Sequence, residues 1–579
     1  MNIIEQRFLR GPNLWSDVPC LLSVVTMDAG APIAHPQAIA QLALDLQNQA
    51  GLNLCFCTAQ AAEGNAQQCR IVFAYRIERV ALDALQLALD ITRGGVVDFS
   101  RRMEDLKSAV RAHAAQLRTA ALIDTVVARG IPVLHVADQP GVLQLGWGRQ
   151  QRRFSQAEQS DGIDSLAHAI ADPDSESKGG RIPVIAVTGT NGKTTTTLMI
   201  AHIASQAGLG TGVTTTEGVF VAGKRVVEGD CAGFHSARRV LESSLVDIAV
   251  LETARGGILK RGLAFDACTV GVVLNVSGDH LGLDGIETIE QLARVKAVVA
   301  RSASRAVVLN AEDQRCVAMA SQLRDGVDVI YFSTVPDHAA LQQHLAAGQR
   351  AAYLQDGALT LADGALRQRL ATAHELPAAL QGHAMHNVAN ALAAAAAAMA
   401  VGFSAEQIAT GLRSFVSDAG QNPLRCNVYN IAGTTVIIDY AHNGAAWDAL
   451  AAMARSMSGG RRLAVLTAPG DRRNADLYEL GRSCGEGFDE LYIYEADPRG
   501  RADGDTAAHI AVGARELAPA PTVHEVLPAG DAFNAALRQS RPGDILVFAC
   551  GSMASAEAII TPYAAAQADD VVRASLMAR

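Results

Sequence analysis

The sequence is poor in aromatic residues, which fill 4% of its 579 positions, so its cores must be built from aliphatic side chains and alanine. It contains no run of lysine or arginine, and its formal net charge is −10. Both features argue against a nucleic-acid partner, whose phosphates need clustered cations. Met1 to Arg7 lack an apolar signal segment. The longest soft run, Ala391 to Gly402, is mostly alanine and too short for a bilayer; it reads as a buried helix. A cytoplasmic protein with no membrane partner is expected. The ten cysteines are thinly spread. Only Cys55 and Cys57 lie close together, and C-x-C alone is a weak metal signal. They read as buried, reduced thiols in a strand.

With 49% hydrophobic content, a chain this long can bury the cores of about three or four domains. One stretch organises the rest. Ile182 to Val187 reads as a buried parallel strand. The turn Gly189-Thr190-Asn191-Gly192 follows, then Lys193, Thr194 and Thr195, and a helix opens at Leu198-Met199-Ile200. Strand, glycine turn, Lys-Thr and helix is the layout of a phosphate cradle. Glycine lets backbone N–H groups approach phosphate oxygens, and the helix N-terminus adds partial positive charge. Lys193 would reach the β- and γ-phosphates, and the Thr194 hydroxyl would face Mg²⁺. Val187 stands where the general phosphate-loop pattern has its first glycine. The alternative is a tight strand-to-helix turn that happens to contain Gly-Lys-Thr.

The chain is α/β throughout. In the N-terminal region, strands are expected at Leu21–Met27 and Arg70–Tyr75, a helix at Ala81–Thr92, and a longer helix or a broken pair of helices at Met103–Ala128. Short strands follow at Val133–Val136 and Val142–Leu145. Beyond the phosphate loop, strands at Asp247–Leu251 and Ala267–Leu274 alternate with helices. That alternation implies a parallel sheet with helices on both faces, and ligands beyond the strands' carboxyl ends. Strands at Thr435–Asp439, Arg462–Leu466 and Ile545–Ala549 mark a smaller, Rossmann-like unit. The divisions are an N-terminal α/β domain over 1–154, a solvated linker over 155–180, a central parallel-sheet domain over 181–417 and a C-terminal domain over 418–579. Glu252 ends an apolar strand beside the phosphate loop, which suits a Mg²⁺ ligand.

The spelling Gly189-Thr190-Asn191-Gly192-Lys193-Thr194 resembles that of the Mur ligase superfamily. Two further phrases narrow the resemblance. Leu9-Arg10-Gly11-Pro12-Asn13-Leu14-Trp15-Ser16 resembles the opening of cyanophycin synthetases. Gln144-Leu145-Gly146-Trp147-Gly148-Arg149-Gln150-Gln151-Arg152-Arg153-Phe154 resembles the phrase that closes their N-terminal domain. Leu251 to Asp266, with Arg255-Gly256-Gly257, is also closer to them than to the cell-wall ligases. Cyanophycin synthetases build a polymer with an aspartate backbone and arginine side branches. In that family an ATP-grasp domain follows the second phrase. Here only Ser155 to Gly180 separates that phrase from the phosphate-loop strand, so the ATP-grasp domain is missing.

The resemblance implies ATP and Mg²⁺, and it assigns roles residue by residue. Glu252 and His280 match a glutamate and a histidine that hold metal ions, alongside Thr194. Lys296 stands at a spacing after His280 similar to that of the Mur lysine that becomes carbamylated; a solvated lysine is the alternative. Asn387 and Asn390 match an adenine-facing helix start, with Asn310 expected nearby. Asp439 and His442 match the domain-crossing phrase whose aspartate meets the ribose, with Gly444 in place of its usual proline. Arg425 stands where an arginine reaches the ATP phosphates on domain closure, with Leu424 replacing a glycine. Arg255 faces a substrate carboxylate or pairs with an acid such as Asp279. Asp471, Arg472 and Arg499, on glycine-bearing loops, bind the incoming amine or its carboxylate, or are charged surface.

The implied activity is an ADP-forming acid–amino-acid ligase that needs no protein nucleophile. ATP phosphorylates a carboxylate, and an amine then displaces phosphate. Without the ATP-grasp part, a single-bond ligase is expected. It would join an amino acid such as arginine to an aspartyl-type carboxylate on a small molecule or peptide, or act on another acid. The N-terminal domain is expected to dock a peptide acceptor or support a homo-oligomer. Two other readings are a folate or cell-wall type ligase, and a non-catalytic ATP-binding partner of a full-length synthetase. The Arg-Gly-Gly segment argues against the first. Intact Lys193, Thr194, Glu252, His280 and Lys296 argue against the second.

Overall fold

The computed structural model describes residues 2–26, 35–62, 65–94, 97–115, 126–127, 129–136, 139, 142–154, 180–457 and 459–563. The expected linker lies outside them apart from Gly180, as do residues 116–125 and 128 of the expected helical stretch Met103–Ala128.

Strands β1 (Asn2–Leu9), β2 (Cys20–Thr26), β3 (Cys57–Ala62) and β4 (Asn65–Ala74) form an antiparallel sheet in the order β1-β2-β4-β3. Helices α1 (His35–Gln49) and α2 (Glu78–Thr92) bring Ile39, Leu46, Leu85 and Leu89 into one core with Leu21, Ile71 and Phe73 of the strands. Helix α3 (Phe99–Ala115) follows. Strand β1 was hidden in the sequence because a register shift between Ile3 and Glu5 breaks its alternation. The expectation of buried thiols at Cys55 and Cys57 is corrected: Cys55 is exposed and Cys57 half-buried. Cys57 opens β3, an edge strand with one neighbour, so one flank stays open to solvent. All ten cysteines are free thiols.

Strands β5 (Val133–His135), β6 (Leu143–Leu145) and β7 (Arg152–Phe154) make a small antiparallel sheet. It is stitched to the central domain by Gln144 Nε2, which donates to the Leu241 carbonyl at 3.0 Å.

The central sheet has eleven strands. Seven of them lie parallel in the order β9 (Thr211–Thr215), β12 (Ile248–Glu252), β8 (Val184–Thr188), β13 (Cys268–Val273), β14 (Ala303–Asn310), β15 (Asp328–Ser333) and β16 (Ala351–Gln355). Antiparallel strands β10 (Gly218–Val221) and β11 (Lys224–Glu228) extend one edge, and β17 (Ala358–Asp363) and β18 (Leu366–Thr372) the other. The parallel centre matches the expected architecture; the edge strands were not anticipated.

Helix α4 (Lys193–Gln206) begins at Lys193, five residues before the expected Leu198. Threonine is a weak helix former, but Thr194, Thr195, Thr196 and Thr197 are all buried, and packing prevails over propensity. Helices α5 (Arg255–Arg261) and α6 (Ile289–Arg301) follow β12 and precede β14. Helix α7 (Met385–Val401) carries the alanine run, with Ala391 to Ala398 wholly buried against α4 and the sheet. Gly402 ends it in the left-handed region at φ +99°. Helix α8 (Ala405–Ser414) leads toward the last domain.

The C-terminal sheet runs β19 (Asn427–Ile431), β20 (Thr434–Asp439), β24 (Ile545–Ala549), β21 (Arg462–Leu466), β22 (Glu490–Ile493) and β23 (Thr522–Glu525). All but β19 are parallel. Helix α9 (Gly444–Met457) follows β20. Among the described residues no helix is long and apolar enough to cross a membrane.

Candidate active site

The chain crosses from one side of β8 to the other after β12, so the ends of β12, β8 and β13 frame a switch point of the parallel sheet. The loop Gly189–Gly192 sits there. Gly192 lies at φ +84°, and a Cβ on it would fall 2.2 Å from Asn390 Oδ1, so only glycine fits. The Thr190 and Asn191 amides both donate to Asn275 Oδ1, at 3.0 and 2.9 Å. Lys193 Nζ folds back to the Thr190 carbonyl at 2.8 Å. Thr195 Oγ1 accepts from Asn422 Nδ2 at 3.4 Å.

Glu252 ends β12 and is 2% exposed. Its Oε2 accepts from Thr194 Oγ1 at 2.9 Å and from the Thr216 amide at 3.3 Å. Its Oε1 is buried with no hydrogen-bond partner among the described residues. Burial pushes this carboxyl's pKa up, and Lys193 opposes that push. An orphaned carboxylate oxygen beside a hydroxyl is what a hard divalent cation would satisfy. Thr194 and Glu252 therefore fit a metal.

His280 and Lys296 line the same cavity. Burial pushes the His280 pKa down to about 4, with Asp279 opposing and Arg472 reinforcing the shift. Its Nε2 lies 3.3 Å from Arg472 Nη2, which donates to it. His280, Asp279 and His442 offer ligand atoms within 4.8 Å of one another, enough to hold a metal ion. Lys296, on α6, is 3% exposed, and burial lowers its pKa to about 7. The solvated-lysine alternative is thereby ruled out. Among the described residues its amine has no hydrogen-bond or ion-pair partner.

The nucleoside candidates lie around the same space. Asn387 and Asn390 open α7, with Asn390 Nδ2 donating to Asn387 Oδ1 at 3.1 Å. Asn310 Nδ2 donates to the Leu274 carbonyl at 3.0 Å. Asp439 Oδ2, at the end of β20, accepts from the Cys426 amide at 2.9 Å. His442 turns to Asp279, with Nε2 3.4 Å from Oδ2, and so joins the metal candidates. Arg425 reaches Thr194 Oγ1 at 3.3 Å and Thr216 Oγ1 at 3.4 Å, with its guanidinium over the Tyr440 ring.

Arg255 and Arg472 line the cavity from two domains. Arg255 pairs with Asp284 at 3.4 Å, not with Asp279. Arg472 holds Asp279 at 3.5 Å and Asp471 at 2.7 Å. Each arginine has a buried Nε–H with no partner among the described residues. Asp279 is buried, which raises its pKa, yet the hydrogen bond and charge of His442 and the charges of His280 and Arg472 hold it well below the usual carboxylate range. Arg499 pairs with Asp471 at 2.7 Å and Asp497 at 3.1 Å. The cavity joining these groups has a volume of about 1270 Å³ and draws its walls from both the central and C-terminal sheets.

Two family models match the chain in succession. The Mur ligase middle domain matches residues 187–398. The Mur ligase glutamate ligase domain matches residues 424–553. The chain carries Mur ligase middle and C-terminal domains. Cyanophycin synthetase of Trichormus variabilis is 40% identical over 402 residues, covering 68% of this chain and 44% of that protein. Cyanophycin synthetase of a Synechocystis species is 42% identical over 372 residues, covering 64% and 42%. The UDP-N-acetylmuramoyl-L-alanyl-D-glutamate–2,6-diaminopimelate ligase of Geobacter metallireducens is 28% identical over 395 residues, covering 64% and 73%. The chain thus spans less than half the length of the cyanophycin synthetases it matches.

Within these Mur ligase domains, several residues escaped the sequence reading. Asn275, Thr216, Asp284 and Asn443 all line or brace the cavity. Asn275 carried a signal, because it follows an apolar strand next to the phosphate loop. Asp284 carried none, since it acts through a partner distant in sequence; Asn443 closes the domain-crossing phrase that begins at Asp439, but its partner Asn191 lies far away in sequence.

Proposed function

We propose that the protein is an ATP-dependent carboxylate–amine ligase that forms one amide bond through an acyl phosphate. The observation that carries this reading is one cavity that holds both halves of the chemistry. It has a phosphate loop with an orphaned metal-ligand oxygen at one part, and the half-buried Arg255 and buried Arg472, each with an unpaired Nε–H, at another. The γ-phosphoryl group of ATP passes to a substrate carboxylate oxygen, and ADP leaves. The amine nitrogen then attacks the acyl carbon, and phosphate leaves as the amide forms. Gly189 to Thr195 would cradle the triphosphate, and Lys193 would neutralise its charge. Asn387, Asn390, Asn310 and Asp439 would surround the nucleoside. Arg255 would bind the acid, while Arg472 and Arg499 with Asp471 would hold the amine substrate or its carboxylate. Mg²⁺ on Thr194 and Glu252, with His280 nearby, would supply charge neutralisation to the transferring group.

Lys296 is proposed to be carbamylated. A buried amine with no partner and a neutral form accessible near pH 7 can add CO₂, which converts a costly buried cation into a metal-seeking anion. With ¹³C-bicarbonate, the carbon spectrum should show a carbamate signal that Lys296→Met lacks; the same signal in the variant would disprove the assignment.

The resemblance to cyanophycin synthetases supports an aspartyl-type acid and an amino acid such as arginine. Incubation with ATP, cyanophycin-like aspartyl peptides and each amino acid, followed by product mass, tests this. A peptide heavier by one amino-acid residue, with one ADP per bond, is expected. ATP binding without ADP formation for every acid–amine pair would favour the non-catalytic reading.

A further inference from the structure

We propose that Asn443 is a positioning residue that latches the C-terminal domain onto the crest of the phosphate loop through Asn191. The inference rests on the nucleotide reading above. The two side-chain amides, 252 residues apart, form a reciprocal pair: Asn191 Nδ2 donates to Asn443 Oδ1 at 3.1 Å, and Asn443 Nδ2 donates to Asn191 Oδ1 at 3.0 Å. The direction is fixed, because Asn443 Oδ1 also accepts from the Ala446 amide at 3.0 Å. A flipped amide would set donor against donor.

Asn443 is anchored on its own side. It caps the start of α9, and its carbonyl accepts from the Trp447 amide at 3.2 Å. Trp447 is fully buried in the C-terminal core. The latch therefore moves with the body of that domain and not as a loose side chain. Asn191 is anchored on the other side by Asn275, whose Oδ1 receives its amide and whose Nδ2 donates to its carbonyl at 3.2 Å. The loop crest is thus gripped by one amide from each domain. The C-terminal domain cannot rotate away without breaking both Asn443 bonds or dragging the loop that would cradle the phosphates. Closure and phosphate binding are coupled through this pair.

Titration calorimetry with Mg·AMPPNP tests the latch. Asn443→Ser keeps a capping oxygen but is too short to reach Asn191, so it separates the latch from the helix cap. It is expected to bind Mg·AMPPNP about tenfold more weakly, the loss of two neutral hydrogen bonds. The melting temperature of the nucleotide-free protein should fall less than in Asn443→Ala, because the helix cap is kept. Asn443→Ala should lower both. Asn191→Ala provides the reciprocal cut, and the double variant Asn191→Ala/Asn443→Ser should bind no more weakly than the weaker single variant. Wild-type affinity in Asn443→Ser, or losses that multiply in the double variant, would overturn the latch while leaving the nucleotide site standing. Failure of the wild-type protein itself to bind Mg·AMPPNP would overturn both.

Discussion

Lys193→Ala is expected to lower the rate of ADP and amide formation about a thousandfold, comparable to removing a preorganised charge from a transferring group. The fold should survive, because Lys193 is a partly exposed first-turn residue whose amine makes one hydrogen bond, to the Thr190 carbonyl. That bond shows where the amine waits: curled over the loop it would serve. Alanine also suits the first turn of α4. Full turnover by the variant, measured as ADP released per amide formed, would mean that the triphosphate lies elsewhere.

Glu252→Gln should have an effect of similar size on catalysis and the opposite effect on stability. The carboxylate ends β12 with one oxygen satisfied and the other orphaned. Its burial is unfavourable without a cation, so its pKa is raised. An amide of the same shape avoids that charge, and the metal-free protein should gain on the order of 1 kcal/mol. The sign with pH follows from the raised pKa. Wild-type folding is favoured by proton uptake as pH falls, so the gain from glutamine should be largest at neutral pH and shrink in acid. Product formation should fall about a hundredfold or more, because glutamine is a poor Mg²⁺ ligand. A variant that is less stable than wild type when metal-free, yet fully active, would contradict the assignment.

Strands that repeat a clear pattern were legible from the sequence. β8, β12 and β13 announced themselves as apolar runs, and Glu252 was recognisable as a carboxylate at a strand's end. The alanine run of α7 read as buried because nothing in it could face water. Other features depended on contacts no local pattern carries. α4 starts at Lys193 despite four successive threonines, because those side chains are buried. Arg255 could not be paired from the sequence, since Asp284 is placed by a loop whose residues Gly282, Asp284 and Gly285 all have positive φ. Two departures from the family spelling became intelligible. Leu424 occupies a left-handed conformation at φ +57° where glycine would be unstrained. Gly444 starts α9 directly after its capping Asn443.

A crystal structure with Mg·AMPPNP tests the central claim most directly. The triphosphate should lie along Gly189 to Thr195, with the metal on Thr194 and the free oxygen of Glu252. The nucleoside should lie between the start of α7 and Asp439. Nucleotide bound at any other surface, with this cavity empty, would contradict the account.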